Sequence, residues 1–553
     1  IAIKIKPNFA DAYYNLGNAH KENSNLKKAI SSYKMTLDIQ PNSSDAYLNM
    51  GIALNNLGDL EAAIICYKNT LKINPSYTEA YFNMAITLKS QGNLEVALDN
   101  FKQALKINTN YAPALSQSHY LASIMSNWSY AKTLEQYLSS DLLDGNLSIY
   151  GLLSFEDNPL MHLERASNLV KSQYKLLPLF NGKSVLKSNR IKIGYFSSYF
   201  RQHPVTMLSV KMLECSDREK FEIFAFHYGP IVNDEYNLRI NAAFDHFINV
   251  SEMSDKEIAS LALENSIDIA IEFNGFMKDE RIGILAHRPS PIQINYLAYP
   301  GTMGADFYDY IVADETLIPE DQKSNYAENI IYLPSCYMPQ DNSRQISDKP
   351  LTRQDFNLPE DGFVFCCFNN SFKITPKEFD IWMRLLSKVD GSVLWLLKAN
   401  KSSVENLKSE AEKRGVKADR LIFADKLAIE EHLARQRLAD LFLDTFNFNA
   451  HTTASDALWV GLPVVTKIGK GFAARVAGSL LTSIEVPELI TTSEKEYEAL
   501  ALDLATNPEK LSLIKKKLAD KRSTAPLFDT ETYTKNLEKA YTKAYERYSS
   551  GLP

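Results

Sequence analysis

The chain has 553 residues, of which 45% are hydrophobic and 23% charged, and its formal net charge is −7. This length exceeds what a single hydrophobic core supports, so we expect three or four structural units of ordinary globular composition. The sequence has no Lys/Arg-rich run and no apolar run approaching the ~20 residues that cross a bilayer. Both features argue against nucleic-acid and membrane partners.

The five cysteines are scattered and form no Cys-x-x-Cys pair. This usage favours free thiols in a reducing compartment over a disulfide framework or a zinc site, and we predict a cytoplasmic location. The chain begins IAIKIKPN, without Met, and this opening aligns with the closing segments of later repeats. We therefore expect the chain to begin inside a longer protein that has further repeats upstream.

Up to about residue 115, the sequence repeats every 34 residues. The recurring residues are a Pro (Pro7, Pro41, Pro75), an Ala–Tyr pair (beginning at Ala12, Ala46, Ala80), a later Ala (Ala29, Ala63, Ala97) and an aromatic residue (Tyr33, Tyr67, Phe101). Small residues suit positions where two helices approach closely, and aromatic side chains fill the space between helix pairs. The pattern resembles the tetratricopeptide repeat and predicts a superhelix of stacked helix pairs over residues 1–115.

Stacked repeats of this kind form a concave groove, in which we expect protein or peptide substrates to bind. An Asn recurs in the first helix of each unit, as Asn15, Asn49 and Asn83, and is suited to binding peptide backbone. Two alternatives stay open: these side chains make hydrogen bonds within the repeats, or the array serves assembly alone. The sequence is compatible with a homo-oligomer.

After the repeats, residues 116–187 are mostly helical without a period, and we interpret them as a helical connector. Short apolar runs then alternate with helix-like segments in two series, at 191–200, 221–228, 267–275, 291–299 and 310–319, and at 362–370, 392–398, 420–426, 438–446 and 462–468. Strand alternating with helix predicts parallel sheets covered on both faces. We predict two Rossmann-like domains, residues 188–345 and 346–553, the second ending in a C-terminal helix.

The stretch NAHTTASDALWVGLPVVT, residues 449–466, marks a junction between a buried strand and a helix. Ligands of doubly wound sheets bind at such junctions, and free backbone N–H groups at a helix N-terminus favour a phosphate. We expect Thr452 or Thr453 to cap the helix, His451 to add a side-chain donor and Asp456 to accept from ribose hydroxyls. The alternative is that the Thr residues only cap and His451 is an ordinary surface residue.

Other polar residues follow predicted strands, and His432 and Arg435 lie three residues apart on one face of a predicted helix. Ser197, Ser198 and His203 come after the first strand of the first series, and Asn370 and Lys373 after the first strand of the second. The sequence contains no Asp-x-Asp and no His/Cys cluster at metal-ligand spacing, so we expect neither a metal nor a cofactor. It also lacks the phosphate-binding motif of P-loop nucleotidases and the Gly-x-Gly-x-x-Gly of dinucleotide-binding domains.

Several long motifs, in order along the chain, resemble the O-linked N-acetylglucosaminyltransferase family. They are IGYFSSYF followed by His-Pro, ILAHRPSPIQINYLAYPGTMGADFYDYIVAD, FNNSFKITPKEFDIWMRLL, and EEHLARQRLADLFLDT followed by NAHTTASDALWVGLPVVT. The resemblance implies an α/α tetratricopeptide superhelix followed by an α/β glycosyltransferase of the GT-B type, which consists of two Rossmann-like domains.

The resemblance also implies a role for each matching residue. Those matched to the nucleotide-sugar donor are Asn370 and Lys373 at the diphosphate, His432 and its helical neighbour Arg435 near the base, His451, Thr452 and Thr453 in the diphosphate cradle, and Asp456 at the ribose. On the acceptor side, His203 matches a His near the transferred sugar and Asn274 a polar lining residue. Glu272 is the alternative to His203 as general base.

The activity that the resemblance implies is an inverting, metal-independent transfer of N-acetylglucosamine from UDP-N-acetylglucosamine to Ser or Thr of proteins. Ile429 replaces a base-contacting Lys, Met277 stands where a Thr is expected, and Asn370 replaces a Gln. These departures keep three alternatives open: a protein O-fucosyltransferase using GDP-fucose, a transferase for another UDP-hexose, and an inactive repeat scaffold. The His203-Pro204 pair favours the N-acetylglucosamine branch.

Overall fold

The computed structural model describes residues 2–23, 25–135, 149–180 and 189–551. The chain forms two compact units, residues 1–148 and 149–553. No helix within the described ranges combines the length and the apolar character that a membrane span requires.

The first unit is built from helices that pack in consecutive pairs, which confirms the predicted repeat architecture. After a short α1 (Ala2–Ile5), the pairs are α2 (Ala10–Glu22) with α3 (Leu26–Ile39), α4 (Ser44–Leu57) with α5 (Leu60–Ile73), α6 (Thr78–Ser90) with α7 (Leu94–Ile107), and α8 (Ala112–Ile124) with α9 (Trp128–Glu135). The turns after α4 and α6 use Gly58 and Gly92 with φ of 90° and 82°, a conformation that Gly adopts without steric cost.

Close packing explains why small and aromatic residues recur with the period of the repeat. A Cβ on Gly17 would lie 2.5 Å from the Tyr33 ring, and one on Gly51 would lie 2.6 Å from the Tyr67 ring. The aromatic rings are fully buried because they lie directly against the backbone of the preceding helix.

The last helix pair, α8 and α9, continues beyond the predicted end of the repeats. The predicted boundary at residue 115 falls inside α8, and helix pairing reaches Glu135. Ser126, with φ of 53°, stands at the turn where the second and third units have Gly58 and Gly92. Residues 136–148 and 181–188 of the predicted connector lie outside the described residues.

Two of the Asn residues that recur in the first helix of each unit, Asn49 and Asn83, make hydrogen bonds within the helix array. Asn49 donates from Nδ2 to the Tyr14 hydroxyl over 2.8 Å, and its Oδ1 accepts from Lys21 Nζ at 2.6 Å. Asn83 donates to the Glu79 carbonyl of its own helix over 2.8 Å. Asn83 therefore bonds within its own repeat, as the alternative has it, whereas Asn49 bonds to side chains of the preceding repeat.

The second unit opens with helices and a seven-stranded parallel sheet of order β3-β2-β1-β4-β5-β6-β7. Its strands are β1 (Ile191–Ser197), β2 (Phe221–His227), β3 (His246–Asn249), β4 (Ile269–Glu272), β5 (Ile292–Asn295), β6 (Tyr310–Ala313) and β7 (Asn329–Tyr332). The helices are α10 (Ile149–Leu152), α11 (Pro159–Gln173), α12 (Pro204–Glu214), α13 (Glu235–Ala242), α14 (Asp255–Glu264) and α15 (Gly283–Ala286).

A six-stranded parallel sheet of order β10-β9-β8-β11-β12-β13 follows. Its strands are β8 (Val364–Cys367), β9 (Val393–Leu397), β10 (Leu421–Ala424), β11 (Leu441–Leu443), β12 (Val464–Lys467) and β13 (Ile490–Thr491). The helices are α16 (Pro376–Lys388), α17 (Lys401–Lys413), α18 (Ile429–Gln436), α19 (Thr452–Trp459), α20 (Val476–Ser483), α21 (Glu494–Thr506), α22 (Pro508–Lys521) and α23 (Thr530–Ser549). Two doubly wound sheets in tandem confirm the predicted fold class.

The C-terminal helix α23 packs against the first sheet, although we assigned it from the sequence to the second domain. The Tyr533 hydroxyl is hydrogen-bonded to the Tyr296 hydroxyl, next to β5. The Glu538 carboxylate accepts from the Ser216 hydroxyl at 2.7 Å and from the Asp217 backbone N–H at 2.8 Å. The chain therefore returns to the first sheet domain after completing the second.

Candidate active site

Polar side chains at the carboxyl edge of the second sheet hold the ends of β8 and β11 together with the start of α19. Asn369 donates from Nδ2 to the Thr445 hydroxyl over 2.8 Å and accepts from the Thr453 hydroxyl at its Oδ1. Asn370, the residue predicted to lie beside the diphosphate, is exposed and precedes the short 3-10 turn Ser371–Lys373. The buried amide that ties this edge together is therefore Asn369.

The N-terminus of α19 is open, and the predicted capping by Thr452 or Thr453 does not occur. The helix begins at Thr452, and the N-cap residue, His451, makes no capping hydrogen bond with its side chain. Thr453 instead donates its hydroxyl to Asn369. The first backbone N–H groups of the helix, with the positive end of its dipole, remain suited to an anion.

Lys373 supplies a cation beside this helix end. Its Nζ donates to the Asn449 carbonyl over 2.8 Å and lies 3.8 Å from the centroid of the Phe448 ring. Burial lowers the pKa of Lys373 to about 7, and the nearby Asp444 carboxylate partly opposes that shift. An ammonium group has three N–H donors, so Lys373 can bind an anion while it keeps its bond to Asn449.

His451 lies in the cradle but does not offer the side-chain donor that we predicted. Its Nε2 is 3.2 Å from the Ala473 carbonyl, which can only accept, so the hydrogen of the neutral ring is on Nε2 and Nδ1 is an acceptor. Burial, followed by the charge of Lys373, holds the pKa of His451 well below its ordinary value. The donors that this arrangement provides for a phosphate are Lys373 and the backbone of α19.

Asp444, which the sequence reasoning missed, shapes the loop that carries these groups. Its buried carboxylate accepts from the Thr445 N–H at 2.8 Å, the Ala450 N–H at 2.6 Å and the Thr466 hydroxyl at 2.7 Å. Burial raises the pKa of Asp444 to about 7. The sequence could have identified Asp444 by its position directly after the apolar residues of LFLDT, since a charged residue rarely follows a buried strand without a partner.

Asp456 is buried in α19 and forms an ion pair instead of facing an open ribose site. Its Oδ1 lies 2.5 Å from Arg344 Nη1, and the two side chains are only 5% and 4% exposed. Arg344 belongs to the segment that links the two sheets, so residues far apart in sequence form the pair. Burial raises the pKa of Asp456 even beside the guanidinium.

His432 and Arg435 are close together on α18, as their spacing predicted. His432 Nδ1 accepts from Arg435 Nη2 at 2.8 Å and Nε at 3.1 Å, so the neutral ring carries its hydrogen on Nε2. Burial and the neighbouring guanidinium lower the pKa of His432 to about 3. Arg435 therefore selects the tautomer with which His432 donates a hydrogen bond from Nε2.

His203 occupies the N-cap position of α12, at the carboxyl edge of the first sheet. Its Nδ1 accepts from the Val205 N–H at 3.3 Å, and its ring stacks on Tyr199 with centroids 3.8 Å apart. Burial lowers the pKa of His203 to about 4. The hydrogen of this neutral ring is on Nε2, which makes His203 a hydrogen-bond donor in this arrangement.

Asn274 and Glu272 follow the same sheet edge but are buried below it. Asn274 Oδ1 accepts from the Ser197 hydroxyl at 2.9 Å, and its Nδ2 donates to the Ser198 hydroxyl over 2.6 Å. Both amide atoms are thus used in joining β1 to β4, and Asn274 does not line an open acceptor site. Glu272 is 1% exposed, accepts from the Asn274 N–H at 2.8 Å, and has its pKa raised to about 7 by burial.

The predicted donor-side residues therefore lie at the carboxyl edge of the second sheet, and the predicted acceptor-side residues lie at the carboxyl edge of the first sheet. Within the described residues, no group of three or more His, Cys, Asp or Glu side chains is placed to hold a metal ion.

Comparisons with known proteins place this geometry in a family. The model of glycosyl transferase family 41 matches residues 158–349 and 349–537, and tetratricopeptide repeat models match residues 10–43 and 42–110. The chain is similar to the Arabidopsis thaliana probable UDP-N-acetylglucosamine–peptide N-acetylglucosaminyltransferase SEC, with 39% identity over 66% of this chain and 38% of that protein. The corresponding Caenorhabditis elegans enzyme is 28% identical over 67% of this chain and 42% of its own length.

The chain spans about two fifths of the length of these curated relatives. Among solved structures, a mutant of the Thermobaculum terrenum O-GlcNAc transferase has the same fold, with a TM-score of 0.71, 23% identity and 97% coverage of both chains. The family model alone covers more than half of the sequence. The chain therefore belongs to glycosyl transferase family 41.

Proposed function

We propose that this chain transfers N-acetylglucosamine from UDP-N-acetylglucosamine to Ser or Thr hydroxyls of proteins. The observation that carries the proposal is the phosphate cradle, in which Lys373 Nζ and the open N-terminus of α19 converge around the Asn449–His451 loop. Relatives at 39% and 28% identity are named for this reaction. The tetratricopeptide repeats support a protein acceptor.

The proposed reaction is a direct displacement with inversion. The acceptor oxygen forms a bond to the anomeric carbon while the bond from that carbon to the diphosphate oxygen breaks on the opposite face. Negative charge grows on the departing diphosphate, so preorganised donors aimed at it should provide the largest catalytic contribution. Lys373 and the backbone N–H groups of α19 fill that role without a metal in this proposal.

The acceptor hydroxyl must also lose its proton during the reaction. His203 carries its hydrogen on Nε2, because Nδ1 accepts from Val205, so we assign it to orienting a substrate oxygen by donation. Glu272 is buried beneath the sheet edge and is not placed to reach an acceptor hydroxyl. We propose that the proton leaves late in the reaction, to a phosphate oxygen of the donor.

The direct test is calorimetry of the chain with UDP and with GDP, in the absence of divalent metal. We expect UDP to bind, and Lys373→Ala to weaken that binding strongly because a cation is lost from the cradle. A preference for GDP would overturn the assignment of a uridine donor and favour a guanine nucleotide sugar. Binding of neither nucleotide would contradict the enzymatic proposal and favour a repeat scaffold.

The pH dependence of UDP binding gives a second prediction. Lys373 has a pKa of about 7 in the free protein, and a bound diphosphate should raise it by stabilising the charged form. Affinity is therefore full below pH 7 and falls as the pH rises above it, with an uptake of about one proton per UDP near pH 8. Calorimetry in buffers of different ionisation enthalpy measures this uptake.

Lys373→Met is the control for that experiment, since it preserves the side chain's packing against Phe448 and cannot take up a proton. Its affinity for UDP should be weak and independent of pH between pH 7 and pH 9. Proton uptake of the same size in Lys373→Met would show that another group titrates and that Lys373 is not the cation of the cradle.

A further inference from the structure

Residues 150–157 precede the region that matches family 41, which begins at residue 158, yet they lie against the phosphate cradle. We call them the connector segment, because the sequence places them in the helical connector between the repeats and the first sheet. They contact the residues around the cradle through an aromatic ring and backbone carbonyls, and the adjoining loop 469–474 through a carboxylate.

Asp157 provides the first contact, with the loop formed by residues 469–474. Its Oδ2 accepts from the Lys470 backbone N–H at 2.8 Å, and its Oδ1 accepts from the Gly471 backbone N–H at 2.6 Å. A Cβ on Gly469 would lie 2.3 Å from Asp157 Oδ2, so the loop approaches this carboxylate too closely for a larger residue. One side chain thus holds two successive backbone N–H groups.

The loop held by Asp157 in turn positions the cradle. Its Ala473 carbonyl accepts from the Asn449 backbone N–H at 2.9 Å and from His451 Nε2 at 3.2 Å. The carbonyl of the same Asn449 accepts from Lys373. A hydrogen-bonded path therefore runs from Asp157 through the loop to Asn449, His451 and Lys373.

Three further residues of the connector segment contact the loop that precedes α19. Asn447 donates from Nδ2 to the Ser154 and Phe155 carbonyls, each over 3.1 Å. The Tyr150 ring packs against Phe448 with centroids 5.6 Å apart, and Phe448 is the ring that lies beneath Lys373. The connector segment therefore supports both the backbone and the aromatic floor of the cradle.

The helix that follows the connector segment, α11, is packed on the first sheet domain. Gly304, with φ of 61°, lies so close to α11 that a Cβ would come within 2.5 Å of the Ser167 backbone nitrogen. The connector segment thus joins the donor-side loop to the acceptor-side half of the catalytic region.

We infer that the connector segment is part of the donor site and that Asp157 is a positioning residue. It holds loop 469–474, and through Asn449 and His451 this loop keeps Lys373 and the N-terminus of α19 in place for the donor diphosphate. This inference rests on the proposed function. It extends the donor site upstream of the region that the family model covers.

The test compares Asp157→Ala and Asp157→Asn in the full chain, with UDP affinity and turnover as readouts. Asp157→Ala removes both acceptors and should weaken UDP binding by about 10-fold or more. Asp157→Asn retains one acceptor oxygen for one of the two N–H groups, so its loss should be smaller. Asp440→Asn is the control for a lost carboxylate far from the cradle. Asp440 accepts a backbone N–H from Val364 at 2.9 Å and pairs with Arg353 at 2.8 Å and Lys515 at 3.4 Å, at the amino edge of the same sheet.

A spectroscopic readout separates positioning from general destabilisation. The ¹⁵N signals of the His451 ring should report the Nε2–H tautomer in the unliganded parent protein and in Asp440→Asn, and a mixture of tautomers in Asp157→Ala. His451→Gln assigns these signals. If Asp157→Ala does not fold, the same comparison is made with Asp157→Asn and Tyr150→Leu.

The outcomes distinguish this inference from the proposed function. Failure of the parent protein to bind UDP contradicts the proposed function, and the His451 signals then decide the positioning role alone. Parent-like UDP affinity and an unchanged His451 tautomer in Asp157→Ala would overturn the inference. An equal loss of affinity in Asp440→Asn would also overturn it, since the effect would then be one of stability.

Discussion

Replacing Lys373 by Ala should lower turnover by about 10²–10³-fold, equivalent to about 2.7–4 kcal/mol in the activation barrier. The physical reason is that the Lys373 ammonium group lies 3.8 Å over the Phe448 ring and adjoins the open end of α19. In this partly desolvated position it stabilises charge on a leaving diphosphate more strongly than an exposed cation would. Initial rates at saturating donor measure the effect.

Lys388→Ala is a suitable control for that measurement. Lys388 lies on α16 in the same domain, is about half exposed and pairs with Glu498 at 2.7 Å. Its removal should leave turnover within a factor of about two, because exposed ion pairs contribute little. Near-parental turnover in Lys373→Ala would remove Lys373 from the catalytic machinery.

Replacing Asp456 by Asn should lower the free energy of unfolding by about 3–5 kcal/mol. Arg344 would remain buried, with 4% of its side chain exposed, and would lose its counter-charge. Breaking one half of a buried ion pair is costly because the desolvated partner stays unpaired. Chemical denaturation followed by circular dichroism measures the shift in the unfolding midpoint.

Two control variants test whether the loss of stability comes from the unpaired buried charge. Arg344→Met combined with Asp456→Leu removes both charges and should recover much of the lost stability. Asp503→Asn breaks the Lys510–Asp503 pair, whose side chains are 44% and 45% exposed, and should cost at most about 1 kcal/mol. If the double variant loses as much stability as Arg344→Met and Asp456→Leu lose in sum when each is made alone, the ion pair is not the cause.

The strands that were predicted and those that were missed differ in burial. The ten predicted apolar runs each contain an observed strand, and nine of these strands are central, where both faces of a parallel sheet are covered and the sequence is apolar throughout. The tenth, β10, lies at a sheet edge and was predicted because its sequence, LIFA, is apolar nonetheless. The three missed strands, β3, β7 and β13, each lie at the end of a sheet order. At a sheet edge a strand is partly exposed, so its residues need not form an apolar run.

The sequence by itself determined the repeat array, the two parallel sheets and the gathering of Lys373, His432, Arg435, His451 and Thr453 at one sheet edge. Local periodicity encodes helices and buried strands, and a parallel sheet brings the carboxyl ends of its strands to one side. Only the tertiary structure decided which atoms those side chains face. Arg344 pairs with Asp456, the Ala473 carbonyl orients His451, and Asp157 holds loop 469–474. These contacts join residues far apart in the sequence, and periodicity does not encode them.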